Sequence, residues 1–142
     1  MYNYERTAKK AKFNPSAPYE RALTDIQMQF VGGLGEGLAN YINTVTRRRS
    51  QSANWTWGFP KSRGVGVYSL NVYNEMQMGA LPPTTITLYV KFDKTIEVVA
   101  RGDDGSTPLN KKFNFGTSAG QAALAVGAGW EKLTTGTVDY GH

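Results

Sequence analysis

The sequence contains no cysteine, and its single histidine is the last residue, His142. The missing thiols exclude a disulfide scaffold, a thiolate metal site and a cysteine nucleophile. With one terminal histidine, the chain has no pair of imidazoles to bind a transition metal and little of the usual acid–base repertoire. We therefore predict a protein that is not an enzyme and that needs no metal and no other cofactor.

Long apolar runs are also missing, and the basic N-terminus lacks the apolar segment of a secretory signal. We expect no membrane span. The expected location is the cytoplasm, or the host cytoplasm or virion if the protein is viral. The 142 residues, 40% of them apolar and 12% aromatic, suffice for the core of one domain.

Acidic residues are scarce in the first half of the chain. Residues 1–74 carry ten Lys or Arg and four Asp or Glu, whereas residues 75–142 carry six and seven. No acid lies between Gly37 and Asn74. Such an asymmetry indicates an anionic partner. The alternative is a solvated basic surface that only aids solubility.

Two amphipathic helices are predicted at the ends of the domain. Pro18 suits the first turn of a helix, and apolar residues at steps of three and four then form one stripe along residues 19–45. Four glycines within residues 32–37 would each cost about 1 kcal/mol in a helix interior, so we expect a kink or a split there. Ser118 and Gln121 fit a capping box at the start of a C-terminal helix.

A short aromatic strand is predicted after the first helix. Trp55, Trp57 and Phe59 alternate with smaller residues, so the three aromatic side chains would share one face. We call this set the aromatic platform. A turn over residues 60–64 would then lead into a further strand over residues 65–73.

The strongest local pattern is a hairpin over residues 85–101. A three-residue loop, 93–95, pairs Phe92 with Ile96 and brings the apolar side chains of both strands onto one face. A two-residue loop would instead place apolar residues opposite charges. Residues 112–115 indicate one more strand.

The order of these elements predicts an α+β fold in a single domain. We expect an antiparallel β-sheet of about four to five strands. The N-terminal helical segment, kinked or split at 32–37, and the C-terminal helix would pack on one face. The domain would span residues 18–136, between a basic, flexible N-terminal arm over 1–17 and a loose C-terminal tail over 137–142.

Residues 47–63 combine cations with aromatic side chains, as do proteins that bind single-stranded nucleic acid. We therefore predict a small, basic nucleic-acid-binding protein that prefers single strands of DNA or RNA to duplexes. Arginines and lysines would contact phosphates, the aromatic platform would stack on bases, and the N-terminal lysines would add a flexible clamp. The predicted contact residues are Arg47, Arg48, Arg49, Trp55, Trp57, Phe59, Lys61 and Arg63, together with Lys9, Lys10 and Lys12.

A structural interpretation of the same residues competes with this hypothesis. Arginines near a helix C-terminus are favoured by the helix dipole, and an alternating aromatic strand is core at least as often as it is a binding surface. The protein would then be a structural, assembly or inhibitor protein, viral in one version, that acts through protein–protein contacts. It would form a homo-oligomer or join a larger protein assembly. The choice depends on which face of residues 55–59 is exposed to solvent.

Overall fold

The computed structural model describes residues 18–48, 54–75, 83–105 and 108–134. The predicted N-terminal arm, 1–17, and the tail, 137–142, lie outside the described residues. Two helices, α1 (Pro18–Arg48) and α2 (Ala119–Thr134), flank the strands in sequence. The strands are β1 (Trp55–Trp57), β2 (Lys61–Gly64), β3 (Val67–Asn74), β4 (Thr85–Phe92), β5 (Ile96–Gly102) and β6 (Leu109–Phe113).

The six strands form one antiparallel sheet in the order β1-β3-β4-β5-β6. β2 also pairs with β3, along the half of that strand that β1 leaves free, so β1 and β2 share one edge of the sheet. In the hairpin of β4 and β5, Phe92 lies opposite Ile96 and Leu88 opposite Ala100, as the three-residue loop predicts. The predicted turn over residues 60–64 is wrong: most of it is strand β2, and the chain reverses at Val65 and Gly66.

Both helices pack on the same face of this sheet, so the predicted α+β architecture is confirmed. Leu34 and Leu38 of α1 and Val126 of α2 are fully buried with Leu88 and Val90 of β4 in one core. Each such side chain stabilises the fold by about 1.5–3 kcal/mol through burial. Alternate residues of β3, β4 and β5 supply the inward side chains.

The glycine run does not split α1, which is continuous from Pro18 to Arg48. A Cβ on Gly33 would lie 2.9 Å from Ala119 Cβ, and one on Gly37 would lie 2.5 Å from Ala123 Cβ. These two glycines, four residues apart, therefore allow α2 to approach α1 closely. The predicted split is therefore wrong, because the packing gained by this approach offsets the low helix propensity of glycine.

Asn43 of α1 closes the free edge of β1. Its Nδ2 donates to Trp55 O at 2.9 Å, and its Oδ1 accepts from Trp55 N at 2.7 Å. These are the two hydrogen bonds that a neighbouring strand would supply. Consequently the backbone of Trp55 is satisfied at the sheet edge, and its side chain is held in the core.

Candidate functional site

A bulge separates β1 from β2 along the edge of the sheet. Trp57 lies opposite Val72 and Lys61 opposite Ser69, so three residues of the edge face two residues of β3. Pro60 lies within this interruption, where its missing N–H costs the ladder nothing. An inserted residue re-aims the side chains that follow it.

This bulge divides the aromatic platform between the two faces of the sheet. Trp55 is 4% exposed and Trp57 packs against the core, both on the side of the helices. Phe59 is 64% exposed and lines a groove on the opposite face with Lys61 and Arg63. The prediction that the three aromatic side chains share one face is therefore wrong, because it assumed an unbroken period of two. Trp55 has no exposed ring face on which a base could stack.

Two arginines of the predicted site lie in the helical layer. Arg47 and Arg48 are exposed in the last turn of α1, and Arg47 Nε donates to Asn43 O at 3.2 Å. The helix dipole favours cations at this position, so their placement has a structural explanation. The other predicted cations, Arg49, Lys9, Lys10 and Lys12, lie outside the described residues.

The sheet face opposite the helices, which we call the open face, is rich in positive charge. Within the described part of the chain, α1 and α2 both lie on the other face. The outward positions of β2 to β6 hold five cations and one carboxylate, a formal net charge of five minus one, or +4. The cations are Lys61, Arg63, Lys91, Arg101 and Lys112, and the carboxylate is Glu97.

The outward side chains form rows that run across the strands. One row consists of Val67, Lys91, Glu97 and Lys112, and the next consists of Lys61, Ser69, Tyr89, Val99 and Asn110. Since neighbouring strands are about 4.8 Å apart, the longer row spans about 19 Å. Lys61 begins the longer row at one edge of the sheet. Lys91 and Lys112 lie in the neighbouring row, in the middle of the sheet and at its other edge, with Glu97 between them.

Two exposed tyrosines lie among these cations. Tyr73 of β3 and Tyr89 of β4 are 38% and 43% exposed, on the same face as Phe59. Neither was among the predicted contact residues. The sequence contains a signal for them, since both tyrosines alternate with inward apolar side chains. The signal becomes recognisable only when β3 and β4 are placed side by side in the sheet.

A groove on the open face runs between Phe59 and Tyr73. Its polar lining includes Ser69, Asn71 and Thr87. Thr87 Oγ1 donates to Asn71 Oδ1 at 3.0 Å, which fixes the amide of Asn71. The groove therefore combines aromatic walls with oriented polar groups.

The shifted pKa values belong to groups with structural roles. Burial raises the pKa of Tyr68, whose hydroxyl donates to Gln27 Oε1 at 2.8 Å. Burial would also raise the pKa of Asp103, but hydrogen bonds from the Thr84 hydroxyl and from backbone amides outweigh it and lower the pKa. These contacts to Thr84 N and Oγ1, at 2.9 and 2.7 Å, tie the turn after β5 to the start of β4.

Two further kinds of site are absent from the described ranges. No group of three or more His, Asp or Glu residues there is arranged to hold a metal ion. No helix in those ranges is both long and apolar enough to cross a membrane. No protein-family model matches the chain, and no curated protein or solved structure is detectably similar to it.

Proposed function

We propose that the protein binds single-stranded nucleic acid on the open face, without catalysing a reaction. The observation that carries the proposal is the presence of five cations and three exposed aromatic side chains on one sheet face, whose outward strand positions hold a single carboxylate. Cations bind phosphates and release counterions, and each base stacked on an aromatic ring contributes roughly 1–3 kcal/mol. Together they favour single strands, because the bases of a duplex are already stacked on one another.

The order of the side chains favours a strand that lies across the sheet. Lys61 at one edge, Lys91 in the middle and Lys112 at the other edge would contact phosphates along an oblique path that spans about 19 Å across the sheet. Tyr89 lies in the row of Lys61, one row away from Lys91 and Lys112. The bases would then lie towards the tyrosines, and the phosphates towards the lysines.

Acidic residues lie at the other end of the open face. Glu75 follows β3, and Asp103 and Asp104 form the turn after β5, next to the start of β4. Their charges repel phosphates, so they oppose a strand that runs along that end. At the opposite end, three lysines, Lys91, Lys94 and Lys112, outnumber the two acids beside them, Asp93 and Glu97. The polarity of the face therefore supports a backbone path at the Lys91 end.

The proposal is tested by fluorescence anisotropy with labelled oligothymidine and oligouridine of about 12 nucleotides, titrated between about 50 and 200 mM salt. Lys91→Ala/Lys112→Ala should weaken binding. It should also reduce the slope of log affinity against log salt by about 1.4 if each lysine contacts one phosphate. Arg47→Ala/Arg48→Ala removes the same charge from the end of α1 and is the matched control, for which we expect an unchanged slope.

Three outcomes of this experiment would contradict the proposal or its location. If the wild-type protein binds no oligonucleotide at low salt, the proposal is rejected. If the two double variants lose the same slope, the contact is not specific to the open face. If the slope of log affinity against log salt changes only in the arginine variant, the binding site lies at the end of α1.

Assembly through protein–protein contacts is the second candidate function. It is favoured by apolar side chains at the end of the molecule where α1 meets the turn between β2 and β3. Leu23 and Ile26 are 42% and 63% exposed, Val65 is fully exposed, and Leu23 and Val65 line one groove with Phe92. A second copy of the chain would cover these side chains. Light scattering at high salt should then detect an oligomer that Leu23→Ser/Val65→Ser dissociates, whereas a monomer at all concentrations would reject this function.

A further inference from the structure

The groove between Phe59 and Tyr73 differs from the rest of the open face because it has aromatic walls. The two side chains are 64% and 38% exposed and line the same depression. Proteins that read single strands place unstacked bases against aromatic rings in this way. Lys61 also lines the groove, where an ammonium group is available to the phosphate of an inserted nucleotide.

The groove contains two cationic hydrogen-bond donors, Lys61 and Arg63, beside polar side chains that both donate and accept. Asn71 Oδ1 accepts from Thr87 Oγ1 at 3.0 Å, so the amide nitrogen of Asn71 is directed elsewhere. Arg63 Nε donates to Ser69 Oγ at 2.8 Å, which anchors the guanidinium at the groove. Its terminal N–H groups bond no other described residue. No carboxylate is among the described side chains that line the groove.

We infer that this groove is a slot for one base of a single strand and that it prefers guanine. Guanine presents two adjacent acceptors, O6 and N7, and arginine is the side chain that pairs with them most often. Adenine has an amino group where guanine has O6, so the donors of Arg63 would face another donor there. The inference rests on the proposed function, since a strand bound to the open face is what delivers the base.

The test compares oligothymidine strands of about 8 nucleotides with a single guanine, a single adenine or no substitution at the centre. Competition anisotropy at one fixed salt concentration gives their relative affinities. We expect the guanine strand to bind roughly tenfold more tightly than the adenine strand. Because the three strands carry the same phosphates, their affinity ratio reports on the slot and not on the cations.

Three variants assign the preference to the slot. Asn71→Asp replaces a donor by a carboxylate of nearly the same shape, so the guanine preference should fall to about twofold or less. Phe59→Ala removes one wall and should weaken binding of both substituted strands by about tenfold. Phe115→Ala is the matched control, because Phe115 is similarly exposed, at 57%, but does not line the groove. It should change neither the affinity nor the preference.

The experiment distinguishes rejection of the guanine slot from rejection of the proposed function. Equal binding of the guanine and adenine strands would overturn the slot and leave binding on the open face intact. A guanine preference that survives in both Asn71→Asp and Phe59→Ala would also overturn it. If no strand binds, both proposals fall. The altered side chains are exposed, so the variants should fold, and circular dichroism checks that they do.

Discussion

Replacing Gly37 by alanine tests the contact between the two helices directly. Helix propensity alone predicts that the substitution stabilises the protein by about 1 kcal/mol, since Gly37 lies in the interior of α1. The structure predicts the opposite sign. The new Cβ would lie 2.5 Å from Ala123 Cβ, well inside the distance of about 3.5–4.0 Å at which two carbon atoms attract each other.

The size of the loss follows from these two opposing effects. To relieve the overlap, α1 and α2 must separate by roughly 1 Å, and forced separations of this kind in a packed core cost about 1–3 kcal/mol. After the gain in propensity of about 1 kcal/mol, we expect Gly37→Ala to lower the free energy of unfolding by up to about 2 kcal/mol. For a chain of this length, that corresponds to a decrease in Tm of up to roughly 8 °C.

Denaturant unfolding followed by circular dichroism measures the effect. Gly120→Ala is the matched control, because a Cβ on Gly120 of α2 meets nothing within 4 Å. It should stabilise the protein by up to about 1 kcal/mol. Gly37→Ala/Ala123→Gly transfers the methyl group from one helix to the other and should recover part of the loss, with a coupling energy of about 1–3 kcal/mol. If Gly37→Ala instead stabilises as much as Gly120→Ala does, this account of the glycine run is refuted.

Two further predictions concern polar contacts that tie the fold together. Asn43→Ala leaves the N–H and C=O of Trp55 without their partner, and we expect denaturant unfolding to show a loss of about 1–3 kcal/mol; an unchanged stability would mean that water replaces the amide at no cost. The lowered pKa of Asp103 means that its ionised form stabilises the fold at pH values above 3.8, its ordinary value, and that this contribution is lost as the pH falls through the folded pKa. Thermal unfolding should therefore show Asp103→Asn less stable than the wild type at pH 7, with a difference that shrinks below about pH 4. A difference that is constant down to about pH 2 would contradict this.

The parts of the fold that sequence periodicity predicted correctly are those where a single face must be apolar. A shift of one residue in the hairpin of β4 and β5 would turn its apolar side chains to solvent, so one register satisfies the pattern, and Phe92 does lie opposite Ile96. The sequence signal for the start of α2 is equally local, because it lies within four consecutive residues. Gln121 N donates to Ser118 Oγ at 3.1 Å, as a helix cap requires.

The predicted split at the glycine run is wrong because helix propensity is local and the packing contacts of these glycines are not. Gly33 and Gly37 contact alanines near the other end of the chain, and a Cβ on Gly35 would meet the side chain of Leu70 at 2.5 Å. The sequence of α1 alone contains no sign of these partners. A glycine that costs helix stability in isolation fits here because a larger residue would push α2 or the sheet away.

The candidate site was only partly predictable because one inserted residue reverses the parity of an edge strand. In an unbroken strand that continues from Trp57, Lys61 and Arg63 would point towards the helices, where burial of unpaired charges is unfavourable. The extra residue within 58–60 turns them to the open face. The tryptophans can therefore fill the core while the cations that follow them face solvent. Residues 55–63 can therefore contribute both to the core and to the proposed binding surface. The tryptophans before the bulge belong to the core, whereas Lys61 and Arg63 after the bulge belong to the open face.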